Sequence, residues 1–136
     1  LNRDAIKVHD YSKGPLTFPK NYDLAWSSEF VEHVSPQYVE NFISTFKCCK
    51  YIAITYASVG QTGHHHVNEN TENYWINLMM THGLIFDRDL TVQLRSKTEE
   101  DFSRPTSPVD QSKVIGWTYP YHFSQKGLFF RNDLLL

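Results

Sequence analysis

The chain has 136 residues and a formal net charge of −2, with 40% hydrophobic and 15% aromatic residues, which suits one domain with a substantial core and not two. That charge offers no general attraction to nucleic acid or to an anionic membrane, and no apolar run reaches the ~18 residues that a bilayer span needs. Cys48 and Cys49 are adjacent, which suits reduced thiols better than a structural bridge; with no secretory signal in view, a cytoplasmic setting is expected. The sequence opens on Leu1 rather than Met and so reads as processed, excised or part of something longer.

In chain order, residues 5–9 alternate weakly and predict a short strand ending in the polar turn Asp10-Tyr11-Ser12. Gly14, Pro15 and Pro19 punctuate a loop, and residues 22–27 predict a second strand. Ser35-Pro36 marks a helix start, with Ser as N-cap and Pro at the first helical position. Between strand and helix lies Ser27-Ser28-Glu29-Phe30-Val31-Glu32-His33-Val34. Two carboxylates and an imidazole are thereby placed at the carboxyl end of a strand, the edge where open α/β sheets bind ligands.

Tyr38/Val39, Phe42/Ile43 and Phe46 recur at helical spacing and predict a helix ending near residues 48–50; residues 51–57 then read as a strand covered on both faces. Strand, helix, strand implies a parallel crossover and an α/β fold. Residues 58–70 form a polar loop carrying His64, His65 and His66, expected on the same edge as Glu29 and His33. A helix over residues 71–82 follows, with Tyr74/Trp75 and Leu78/Met79 inward and Gly83 as its stop. Residues 84–86 and 90–95 read as strands, 96–113 as an exposed loop, and 114–121 and 127–131 as antiparallel strands closing the sheet.

The run Asn21-Tyr22-Asp23-Leu24-Ala25-Trp26-Ser27-Ser28-Glu29-Phe30-Val31-Glu32-His33-Val34 resembles the strand and E-x-x-E-H turn of class I S-adenosylmethionine-dependent methyltransferases. Gly63-His64-His65-His66-Val67-Asn68, then Tyr74-Trp75-Ile76 and Met80-Thr81-His82-Gly83-Leu84, are similar to the loop, helix and turn after the fifth strand in one branch of that family. The resemblance spans about residues 5–95 and implies a Rossmann-like sheet, S-adenosylmethionine as cofactor, and a small-molecule or macromolecular methyl acceptor. It places Asp10 and Tyr11 at the adenine, Trp26, Ser27 and Ser28 beside the methionine portion, and Glu29, His33 and His66 on the acceptor side. The chain's six glycines include no G-x-G, so the resemblance reaches only a methyltransferase's second half, and self-association or a partner chain supplying the rest is expected. A non-catalytic α/β module derived from such an enzyme is the alternative.

The histidine run also admits a metal reading, in which His64 and His66 chelate with Glu29 or His33. No H-E-x-x-H or cysteine pairing accompanies it, and no metal is assigned on the sequence.

Overall fold

The computed structural model describes residues 6–103 and 119–136, with side chains for 6–97 and 122–136. A four-stranded mixed sheet organises them, in the order β1-β2-β4-β3. Strand β1 (Tyr22–Ser27) pairs in parallel with β2 (Cys49–Ile54), Ser27 opposite Ile54, while β4 (Leu128–Arg131) runs antiparallel to both β2 and the two-residue β3 (Ile85–Phe86). The chain is therefore α/β, as expected, and the strand expected over 127–131 is antiparallel but lies inside the sheet, between β2 and β3, rather than closing it.

Helix α1 (Val39–Phe46) connects the two parallel strands. It is preceded by a 3-10 turn, Pro36–Tyr38, with Ser35 at the N-cap position and Pro at its start. The α-helical part is shorter than the spacing predicts, because Lys47 and Cys48 close it and the chain is already extended at Cys49. Helix α2 (Glu72–Thr81) follows the local signals closely. The Thr71 hydroxyl caps it by accepting from the Tyr74 N–H, and Gly83, at φ +84°, turns the chain out of it.

Three expectations are corrected. Residues 6–10 form no strand; Asp10 instead caps a 3-10 turn, Tyr11–Lys13, by accepting from the Ser12 N–H. Residues 90–95 lie in a helix, α3 (Arg88–Ser103), which also takes in the first part of the expected 96–113 loop. The alternation of Leu90, Val92 and Leu94 mimics a strand, but the Asp87 carboxylate accepts from the Leu90 N–H and starts a helix. It is Thr91 that is buried, its hydroxyl accepting from the Phe129 N–H, whereas Val92 is exposed. Residues 119–121 open helix α4 (Tyr119–Lys126) rather than ending a strand, and the rest of the 114–121 expectation lies outside the described residues. Among the described residues no helix is long and apolar enough to cross a membrane.

The core gathers Val39, Phe42, Ile43 and Phe46 from α1, Ile52 and Ile54 from β2, Trp75 and Met79 from α2, and Leu128 and Phe130 from β4. Phe42 is fully buried and meets the rings of Tyr11, Phe30 and Phe46 edge-on. Packing of α1 thus positions both the Tyr11 turn and the segment after β1. Phe42→Ala is expected to lower unfolding stability by about 3–5 kcal/mol, read from urea melts followed by circular dichroism.

Candidate functional site

Parallel pairing of β1 and β2 brings the segments that follow them out at the same sheet edge. After Ser27, whose carbonyl accepts from the Thr55 N–H, the chain turns sharply at Glu29, φ +52°. The Glu29 N–H donates to the Thr55 hydroxyl at 2.8 Å, and its carboxylate meets His122 Nδ1 at 3.1 Å. A 3-10 turn, Val31–His33, follows, and its Glu32 carbonyl accepts from the N–H groups of Val67 and Asn68 at 2.9 and 3.0 Å. The buried Asn68 amide donates to the Val34 carbonyl. The E-x-x-E-H turn and the histidine loop are thereby stitched together, as the sequence led us to expect.

What this does to the side chains could not be read from the pattern alone. His33 Nδ1 lies 3.1 Å from the His65 carbonyl, and His66 Nδ1 lies 3.0 Å from the Gln61 carbonyl and 3.3 Å from Glu69. These partners only accept, so each Nδ1 carries a proton, and in the neutral ring Nε2 is then the nitrogen with the lone pair. The His33 and His66 rings lie 5.1 Å apart, edge to face. Glu32 is 0% exposed, and neither of its carboxylate oxygens has a hydrogen-bond partner. Burial pushes its pKa above the ordinary 4.5, and the neighbouring Glu29 charge adds to the rise, while its own N–H, His33 and His66 offset only part. Ligand atoms of Glu32, His33 and His66 all fall within 4.8 Å of one another, a set able to hold a metal ion.

Beside this cluster lies a shallow cleft of about 300 Å³, lined by residues including His9, Asp10, Tyr11, Phe30, His33 and Tyr38. Asp10 and Tyr11 thus share a cleft with His33. The Asp10 carboxylate is held below its ordinary pKa by its hydrogen bonds to Ser12, and so faces solvent as an anion.

The other expected positions lie elsewhere. His66 sits behind His33, its side chain only 8% exposed, and is not among the cleft's lining residues. Trp26 stacks on Phe123 at 3.9 Å, Ser27 is buried, and the Ser28 hydroxyl is buried without a partner. Glu29 is engaged by Thr55 and His122 and stands outside the cluster. His64 and His65 meet edge to face and are exposed, so the metal pairing suggested by the sequence, His64 with His66, is replaced by Glu32, His33 and His66.

Sequence reasoning missed Thr55, Asn68, His122 and Gly63. A Cβ at Gly63 would land inside the His66 imidazole, so this glycine is what lets the ring lie against the backbone. Its position three residues before His66 was the one available signal.

The raised pKa of Glu32 has a definite sign. A carboxyl that holds its proton more tightly when folded contributes stability that is fully present below the unfolded value near 4.5 and is lost as pH rises through the higher folded value. With divalent ions removed by chelator, Glu32→Gln is expected to be more stable than the parent at pH 7, with the advantage shrinking as pH falls through the raised folded value and gone below 4.5. Urea melts at the two pH values check it; a variant less stable at pH 7 would mean that the carboxylate charge is favourably held.

Compared with protein-family models, curated proteins and solved structures, the chain matches none.

Proposed function

We propose that this chain forms the adenine- and acceptor-side part of an S-adenosylmethionine-dependent methyltransferase. The observation that carries the reading is the meeting, at one sheet edge, of the three segments that the resemblance assigns to cofactor and acceptor: the Asp10-Tyr11 turn, the E-x-x-E-H turn and the histidine loop. The antiparallel β4 beside a parallel β1–β2 pair supports it as well.

The donor set fits the proposed cofactor on its adenine side. Asp10 supplies an anionic acceptor for an amino group, and Tyr11 and Phe30 supply aromatic surface in the same cleft. A volume near 300 Å³ is at the small end for ligand sites, in keeping with a site that holds part of the cofactor. When bound, S-adenosylmethionine supplies the methyl group by in-line displacement at its sulfonium, a reaction governed mainly by alignment. The chain's own part is to hold the acceptor: Nε2 of His33 offers a lone pair beside the cleft, and Nε2 of His66 and the Glu32 carboxylate stand behind it.

Titration calorimetry with S-adenosylmethionine tests this. Weak binding is expected, and Asp10→Ala is expected to weaken it further through loss of a charge-assisted hydrogen bond. Binding indifferent to Asp10, or none at all, would remove the reading.

A second reading, a non-catalytic interaction module, is favoured by β1. Among the described residues it stands at the sheet edge, with Tyr22, Leu24 and Trp26 39%, 47% and 53% exposed. An open edge invites pairing by another strand. Self-association is then expected by light scattering at micromolar concentration, and a monodisperse monomer would count against it.

A further inference from the structure

We propose that Glu32, His33 and His66 form a binding site for a divalent transition-metal ion of the Zn²⁺, Co²⁺ or Fe²⁺ class. The inference does not rest on methyl transfer and would stand if that reading failed.

Glu32 is the starting point. A fully buried carboxylate with no partner for either oxygen carries a heavy desolvation cost, and side chains that keep such a group in place normally meet it with a cation. No Lys or Arg pairs with it among the described residues, and the groups aimed at it are two imidazoles. Each imidazole places Nδ1–H against a carbonyl, that of His65 or of Gln61, so in its neutral form the nitrogen with a lone pair to give is Nε2. Three groups that can each offer a lone pair therefore converge within 4.8 Å, and neither carboxylate oxygen has a hydrogen-bond partner. That is the arrangement a metal ion satisfies: bonds of about 2.0–2.2 Å to a central ion draw such donors inward with small side-chain rotations.

The surroundings match as well. Metal-ligating histidines usually donate their second nitrogen to a carbonyl or carboxylate, which fixes the tautomer and the ring plane. His33 has the His65 carbonyl for this purpose, and His66 has both the Gln61 carbonyl and Glu69. Gly63 leaves room for the His66 ring. Two imidazoles and one carboxylate suit borderline transition ions, whereas Mg²⁺ and Ca²⁺ want sets made of oxygen. Three protein ligands leave a coordination position open, and His33, at the cleft, puts that position next to bound ligands.

The full chain, stripped of divalent ions with chelator, is titrated with Co²⁺ and followed by visible absorption, then by Zn²⁺ displacement and thermal melting. One equivalent of Co²⁺ is expected to give a saturable d–d band that Zn²⁺ abolishes and Mg²⁺ does not, with melting temperature rising as metal is added. Glu32→Gln, His33→Ala and His66→Ala are each expected to weaken binding by at least the ~10–100-fold that even outer-sphere losses cost, and Gly63→Ala is expected to weaken it by displacing His66. His64→Ala and His65→Ala should leave it unchanged. Glu32→Gln removes a buried charge and keeps the side chain's shape, so it tests the site even where a histidine variant fails to fold. Absence of a saturable band, full affinity in Glu32→Gln, or binding lost in His64→Ala and His65→Ala instead would overturn the proposal. In the first case Glu32 is held by a proton alone; in the last, the exposed histidine pair binds metal by itself.

Discussion

The Glu32 carbonyl, accepting from the N–H groups of both Val67 and Asn68, is the contact on which the candidate site depends. The register of β1 and β2 only brings two chain segments out side by side. A residue that spends its carbonyl on the opposite loop fixes the spacing between them and forces its own side chain into the interior. The Thr55 hydroxyl does the same at Glu29, and the Asn68 amide at Val34. Each such bond is worth about 0.5–1.5 kcal/mol net. Together they are of the same size as the cost, about 1–2 kcal/mol each, of holding Glu29 and His65 at positive φ, where side-chain-bearing residues rarely sit.

Where the fold was legible in the sequence, the signal was local. The limits of β1, the cap at Thr71 and the stop at Gly83 each depend on a few neighbouring residues, and the structure has all three. Helix α3 was misread because Leu90, Val92 and Leu94 satisfy a period of two as well as they satisfy a helix. The deciding element was a polar cap at Asp87 together with the burial of Thr91 against Phe129, and neither registers as hydrophobic pattern. Residues 6–10 failed as a strand for a related reason. The Asp10 side chain satisfies the Ser12 N–H locally, an alternative to ladder bonds that short polar residues offer wherever they occur.

The site was legible to the level of the sheet edge and no further. That the two loops meet follows from parallel strands; which carboxylate turns inward does not. Glu29 and Glu32 are the same residue type three positions apart, yet one is partly solvated beside Thr55 and His122 and the other is sealed off. The difference lies in the turn at Glu29 and in the bonds to Val67 and Asn68, residues more than thirty positions away. Periodicity carries no information at that range. The exposed histidine run was conspicuous in the sequence for its composition, but only its last member takes part in the cluster.

The electrostatics of the edge set this site apart from the rest of the chain. Elsewhere two acids are answered: Glu72 receives Arg95 at 2.7 Å and the Tyr56 hydroxyl at 3.2 Å, where burial first and the Glu72 charge second push the Tyr56 pKa up to about 12, and Asp87 receives Arg131. Those pairs tie β2, α2, α3 and β4 to one another, and they leave no formal charge stranded. Glu32 breaks that rule at the sheet edge where loops from both parallel strands meet, and the charge of Glu29 makes matters worse rather than better. A fold that answers Glu72 and Asp87 and leaves Glu32 unanswered is, at this point, less stable than its own packing allows. The deficit changes sign when a cation arrives, since the free energy of binding a charge between Glu32 and two oriented imidazoles is then added to the free energy of folding. Local instability and ligand affinity are in that sense one quantity, set by how deeply the Glu32 carbonyl pulls its carboxylate inside.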